Sequence, residues 1–289
     1  MPSTLFGPAA VITLLLGAAQ ITTQSPTVSM SYEVKRVLTL FEPVVLKLFI
    51  DNPRDTQLAV DLGRNFFGNL QLSLRKPDGR VVPADPSRPK RLEDSHEGRH
   101  LLIDAGGQYS RRHTLDEWFD FEQVGDYELT VMFTGSVHPG TGFDLGRQGA
   151  SGFRSLTWNE WQNVQRSHAA AIDIPTMSLR FRILPHNDAV LRGNCETLIQ
   201  EAYSHDWREA VSAANILAYM KGPTAAENLA RLLDPQKPPY VSSVEFIAIE
   251  GLARVGTEQA RLALLEATSH PNRGVASFAQ NRLERFVLR

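Results

Sequence analysis

Through the first two thirds of the chain, apolar residues alternate with polar ones. Val44, Leu46, Leu48 and Ile50 share one face of a run that stops at Asp51-Asn52-Pro53. Leu58, Val60 and Leu62 follow, and Leu70, Leu72 and Leu74 alternate with Gln71, Ser73 and Arg75. Tyr127, Leu129, Val131 and Phe133 form another such series, and Leu179, Phe181 and Ile183 a last one. A period of two predicts strands that each bury one face. Lys76-Pro77-Asp78-Gly79-Arg80 predicts a tight turn, because Pro presets φ at the first corner and Gly takes the positive φ after Asp. Short strands with no long helical pattern between them predict an antiparallel β-sandwich over residues 28–184.

Past Pro185 the period changes. Ala213, Ala248 and Ala279 align with one another, as do Leu217, Leu252 and Leu283, at offsets of 35 and then 31 residues. Leu198, Leu229 and Leu264 align in the intervening segments, with Ala225 and Ala260. Such self-similarity predicts stacked helix pairs over 190–289, since each pair leaves an apolar face that only the next can cover. Asp206 with Glu209, Thr224 with Glu227 and Ser242 with Glu245 have the spacing of capping boxes, and Asn194 and Thr257 are further N-cap candidates. The predicted helices are about 194–204, 206–220, 224–234, 242–255, 257–268 and 273–287.

Two resemblances follow. Val124-Gly125-Asp126-Tyr127-Glu128-Leu129-Thr130-Val131 resembles the penultimate strand of immunoglobulin-like domains, where Gly-x-Tyr leads into a tyrosine corner. Leu129 stands where an antibody domain has its second cysteine, so the resemblance implies a disulfide-free variant and carries no antigen-binding function. The last hundred residues or so, with small-x-x-x-Leu motifs and Gly222 and Gly256 at the inter-helix turns, resemble the HEAT-like repeat family, including bacterial repeats related to those of phycobilin lyases. That resemblance implies a scaffold or protein-binding surface. The Pro-rich loop Asp234 to Tyr240 departs from the short connector the family favours.

Candidate chemistry lies elsewhere. His96-Glu97-Gly98-Arg99-His100 satisfies H-E-x-x-H, in which two His on one helix face bind Zn²⁺ and the Glu acts as general base. Gly98 in the middle, the Pro-rich segment before it and the apolar run after it instead favour a solvated loop with two histidines. Residues 135–176 form a long Gly-rich insertion in which Trp158 and Trp161, three apart, are ligand-contact candidates as an aromatic platform. Its glycines lack the strand-loop-helix context of a phosphate-binding loop. The solitary Cys195 excludes an internal disulfide and any multi-cysteine metal site, and reads as a small apolar residue on a helix face.

Charge and the N-terminus complete the picture. With 30 basic and 32 acidic side chains among 289 residues, the net charge of −2 supplies no field that favours nucleic acid. The uncharged run Leu5 to Ala19, with small Gly17 and Ala19, predicts a signal peptide over 1–19 and a periplasmic or secreted protein with no stable membrane insertion after cleavage. The expectation is a non-enzymatic binding or scaffold protein without cofactor, engaging another protein. A zinc-dependent metallohydrolase using His96, Glu97 and His100, and a carbohydrate-binding accessory protein using Trp158 and Trp161, are the alternatives.

Overall fold

A computed structural model describes residues 28–63, 68–85, 100–139, 152–166 and 171–286. Strands come first and helices follow. The strands are β1 (Ser29–Val34), β2 (Val37–Thr39), β3 (Val45–Asp51), β4 (Leu58–Asp61), β5 (Leu70–Arg75), β6 (Val81–Pro83), β7 (His100–Ile103), β8 (Gln108–Thr114), β9 (Gly125–Phe133), β10 (Val137–Pro139), β11 (Phe153–Leu156) and β12 (Met177–Leu184). They form sheets ordered β1-β3-β8, β10-β4-β7-β11 and β2-β12-β9-β5-β6. The first two meet where β3 runs on into β4 and β7 into β8. Buried Asn52 fastens this bend: its side-chain amide donates to the carbonyls of Thr56 and Asp104, while its backbone amide donates to Gly107.

The alternation explains the core. Leu46, Leu48 and Ile50 of β3, Leu74 of β5 and Leu129 and Val131 of β9 are completely buried, and they join Leu58, Val60, Phe181 and Ile183 in one cluster fed by all three sheets. The Lys76 to Arg80 turn closes as the sequence predicts, with Gly79 at φ +84° and its amide donating to the Lys76 carbonyl. One pairing departs from the antiparallel expectation. The chain changes sheets between β1 and β2, so β1 pairs antiparallel with β3, whereas β2 lies parallel to β12.

The 135–176 insertion is not merely a Gly-rich loop. It supplies both edges of the four-stranded sheet, β10 against β4 and β11 against β7, and then helix α1 (Trp158–Arg166). α1 covers the outer face of that sheet, where Trp161 and Val164 pack on Ala59, Leu102 and Leu156. With the main core on one face and α1 on the other, β4 and β7 are buried at every position.

Six helices follow: α2 (Asp188–Ala202), α3 (Trp207–Tyr219), α4 (Pro223–Arg231), α5 (Ser243–Val255), α6 (Glu258–Ala267) and α7 (Arg273–Glu284). α3, α5 and α7 pack side by side in one layer, and α2, α4 and α6 in a second. Ala213, Ala248 and Ala279 are fully buried at matching positions of α3, α5 and α7. α3 and α5 approach so closely that a Cβ on Gly251 would lie 2.8 Å from Cα of Ala218. Asp206 and Thr257 cap their helices through their side chains as predicted. Three starts differ. α2 begins earlier, capped by Asn187 rather than Asn194. α4 begins at Pro223 behind Gly222 at φ +89°, because Pro at the first helical position needs no N–H partner. Ser242 makes no side-chain cap, and Glu245 turns inward to His270 instead of back to the helix start.

Candidate functional site

His96 and Glu97 lie outside the described residues. His100 is the first residue of β7, buried and paired with Asp61 of β4, so the helix that H-E-x-x-H chemistry needs does not extend to it. Its ring stacks on Trp161, with centroids 4.4 Å apart and planes 9° from parallel, and its Nε2 lies 3.6 Å from Asp61. His138 meets Trp161 edge-on. Among the described residues, no group of three or more His, Cys, Asp or Glu is arranged to hold a metal ion.

The two tryptophans part company for the same reason. Trp161 is 1% exposed beneath α1 and has no face to offer a ligand, while Trp158 stands 55% exposed one turn earlier. The local sequence explains why α1 forms. Thr157 and Glu160 make a reciprocal capping box: the Glu160 carboxylate accepts from the Thr157 amide at 2.7 Å, and the Glu160 amide donates to the Thr157 hydroxyl at 3.3 Å. Leu156 and Trp161 close the hydrophobic staple around it. Hydrogen bonds from Arg154 and Thr157 hold the Glu160 carboxyl down at about 2, against the opposing effect of burial. The T-x-x-E spacing was the signal available in the sequence. Cys195 is buried on α2, its thiol donating to Met220 Sδ at 3.2 Å, and burial pushes its pKa up to about 11, which suits packing rather than nucleophilic chemistry.

Polar contacts cross the junction where strands meet helices. Arg112 of β8 reaches across to the helices, its Nη1 donating to Glu201 at 2.6 Å and its Nε to Ser212 at 3.1 Å. Arg208 of α3 lies over the Phe153 ring of β11 at 4.6 Å, and the Lys221 amide donates to the Phe41 carbonyl. Two clefts open at this junction. The first, about 530 Å³, lies between the outer face of β1-β3-β8 and helices α2 and α3, with Leu38, Val45, Leu198, Ile216 and Met220 among its apolar lining. Lys35, bridged to Glu42 at 2.7 Å, and Lys47 and Arg112 stand at its rim.

The second cleft, about 610 Å³, sets Asp116, Glu117, Asp120 and Glu122 opposite Lys221 and Arg254. Arg254 is held in place over the Tyr219 ring at 3.9 Å and by a bond from its Nη1 to the Ala218 carbonyl. Burial raises the Asp116 pKa to about 7, although the Val44 amide donates to its carboxylate at 2.8 Å and Lys221 favours its charge. None of these junction residues carries a local sequence signal. Lys47 and Arg112 are ordinary outward positions of alternating strands and become a site only when α2 and α3 fold over them.

No family model matches the chain, and no curated protein does. Among solved structures, the chain is similar to the ASH/PapD-like domain of human CEP192 (PapD-like domain 7) at 14% identity, covering 62% of this chain and 97% of that one with a TM-score of 0.24. It is also similar to native alpha-2-macroglobulin from Escherichia coli, spanning MG7 to the C-terminus, at 12% identity, covering 90% of this chain and 47% of that one with a TM-score of 0.24.

Proposed function

We propose that this chain is a non-enzymatic, exported protein-binding module in which an immunoglobulin-like β-sandwich carries a HEAT-like helical array. The observation that carries the reading is an aromatic patch on the helices. The α2–α3 turn and the α4–α5 loop meet through His205 and Tyr240, whose rings lie 3.7 Å apart; Tyr240 is 67% and Trp207 46% exposed. Lys237 lies over the Tyr203 ring at 4.8 Å, and the Tyr203 hydroxyl donates to the Arg231 carbonyl, so the patch stands on a fixed base. Exposed aromatic clusters rimmed by charge are the usual anchors of protein interfaces. The two-layer helix packing with alanines at matching positions supports the repeat assignment, and the Tyr127 hydroxyl donating to the Gln123 carbonyl at 2.8 Å supports the sandwich. Among the described residues, no helix is long and apolar enough to cross a membrane. The uncharged Leu5 to Ala19 run supports export.

The test is a comparison of native chain with a Trp207→Ala, Tyr240→Ala double variant. Both positions are exposed, so melting should be unchanged. Partners captured by site-specific cross-linking at 240 in the native chain should be lost from the double variant. Identical partner sets would remove the patch from the interface. N-terminal sequencing of the chain after export should find Gln20 as the first residue.

A further inference from the structure

We infer that the first junction cleft binds a small monocarboxylate with an apolar tail. The inference goes beyond the protein-binding reading and does not depend on it. At about 530 Å³ the cleft falls within the range of sites for small organic ligands, roughly 300 to 1,000 Å³. Its floor is apolar: Leu38, Ile216 and Met220 are buried, and Val45 and Leu198 are partly so.

The rim decides which head group fits. It carries three cations, Lys35, Lys47 and Arg112, and two carboxylates, Glu33 and Glu42, with Glu201 behind Arg112 as a third. Lys35 is neutralised by Glu42 at 2.7 Å and Arg112 by Glu201 at 2.6 Å. Lys47 sits in the cross-strand row between Glu33 and Arg112 and has no ion pair with any described residue. Across the cleft on α2, the side-chain nitrogen of Asn194 is buried and makes no hydrogen bond to any described residue. A buried donor is costly to leave unmet, and a free ammonium lining the same cleft favours an anionic acceptor. A carboxylate satisfies both, and the floor accepts the chain behind it. An ammonium head group would face Lys47 with like charge and offer the Asn194 nitrogen no acceptor, so its one attraction at the rim would be Glu33.

Titration calorimetry of the full chain with decanoate, decanol and decylammonium tests this. Decanoate should saturate a single site and bind at least tenfold more tightly than decanol, with no binding of decylammonium. Lys47→Glu, at an exposed strand position, should weaken decanoate at least tenfold while decanol binding and thermal melting stay as they are. Leu198→Trp should fill the floor and abolish both; if that variant fails to fold, the Lys47→Glu comparison still decides. Equal affinities for acid and alcohol, undiminished binding to Lys47→Glu, or no saturable binding would overturn the inference. So would binding of a peptide with a free, apolar C-terminal residue where decanoate does not bind, since the cleft would then be a peptide groove.

Discussion

Arg112 on β8 and Glu201 on α2 are joined by a 2.6 Å ion pair that ties the strand layers to the helices. With side chains 25% and 27% exposed, the pair is partly screened, so Arg112→Ala should cost only about 1 kcal/mol in denaturant unfolding. Its larger effect should be local. Hydrogen exchange in α2 and α3 should quicken while β9 and β12 keep their protection. Uniform loss of protection would mean that Arg112 supports the whole fold rather than the junction.

Tyr127 and Gln123 give a cleaner measurement. The buried ring packs against Phe181 with planes 6° apart, and the hydroxyl adds one bond to the Gln123 carbonyl. Tyr127→Phe keeps the packing and removes the bond, so stability should fall by about 1 kcal/mol with an unchanged denaturant slope. A neutral substitution would show that the carbonyl is equally well served by water.

These two contacts differ in how far the sequence announces them. Tyr127 is legible because Gly-x-Tyr before an alternating strand is a local arrangement, and Val44, Leu46, Leu48 and Ile50 are legible because one period fixes one face. The alanine spacing likewise placed Ala213, Ala248 and Ala279 in a buried seam. α1 escaped because its burial depends on Trp161 and Val164 alone, too short a series to outweigh the surrounding glycines, although Thr157 and Glu160 marked its start. The junction was illegible in principle. Lys47, Arg112 and Asn194 sit at positions that look solvated on their own elements, and only tertiary packing brings them together.

Gly251 tests the close approach of α3 and α5. An added Cβ would lie 2.8 Å from Cα of Ala218 and 2.9 Å from Leu229 Cδ1. Overpacking against backbone costs roughly 1–3 kcal/mol, which exceeds the up to ~1 kcal/mol of helix propensity gained over Gly. Gly251→Ala should therefore destabilise, and Gly251→Val more so. A stabilised Gly251→Ala variant would show that the layers can part without penalty.

Glu160 should give part of the acid sensitivity. Its pKa is depressed from 4.5 to about 2 by Arg154 and Thr157, so its ionised form stabilises the fold above the ordinary carboxylate range. That contribution is lost as pH falls from about 5 toward 2, because the unfolded chain then binds the proton first. Glu160→Gln should be less stable than the native chain at neutral pH, and the gap should close in acid. A constant gap across the titration would place the effect in packing.

Glu245 and His270 predict the opposite slope. The carboxyl of Glu245 on α5 lies 3.5 Å from His270 Nε2, with side chains 6% and 5% exposed. Burial raises the Glu245 pKa, and the His270 charge offsets this only in part. The Asn272 amide donates to His270 Nδ1 at 3.2 Å, which leaves Nε2 to face the carboxyl. A raised pKa means that the folded chain holds the proton more tightly than the unfolded one, so this group's contribution falls as pH rises from the ordinary glutamate range through the folded value. Glu245→Gln keeps the shape and removes the charge. Compared by denaturant midpoint from about pH 4 to about pH 8, the variant should gain on the native chain as pH rises. Were the native chain to gain instead, the contact with His270 would be net stabilising once Glu245 is ionised, and His270→Gln should then abolish that gain.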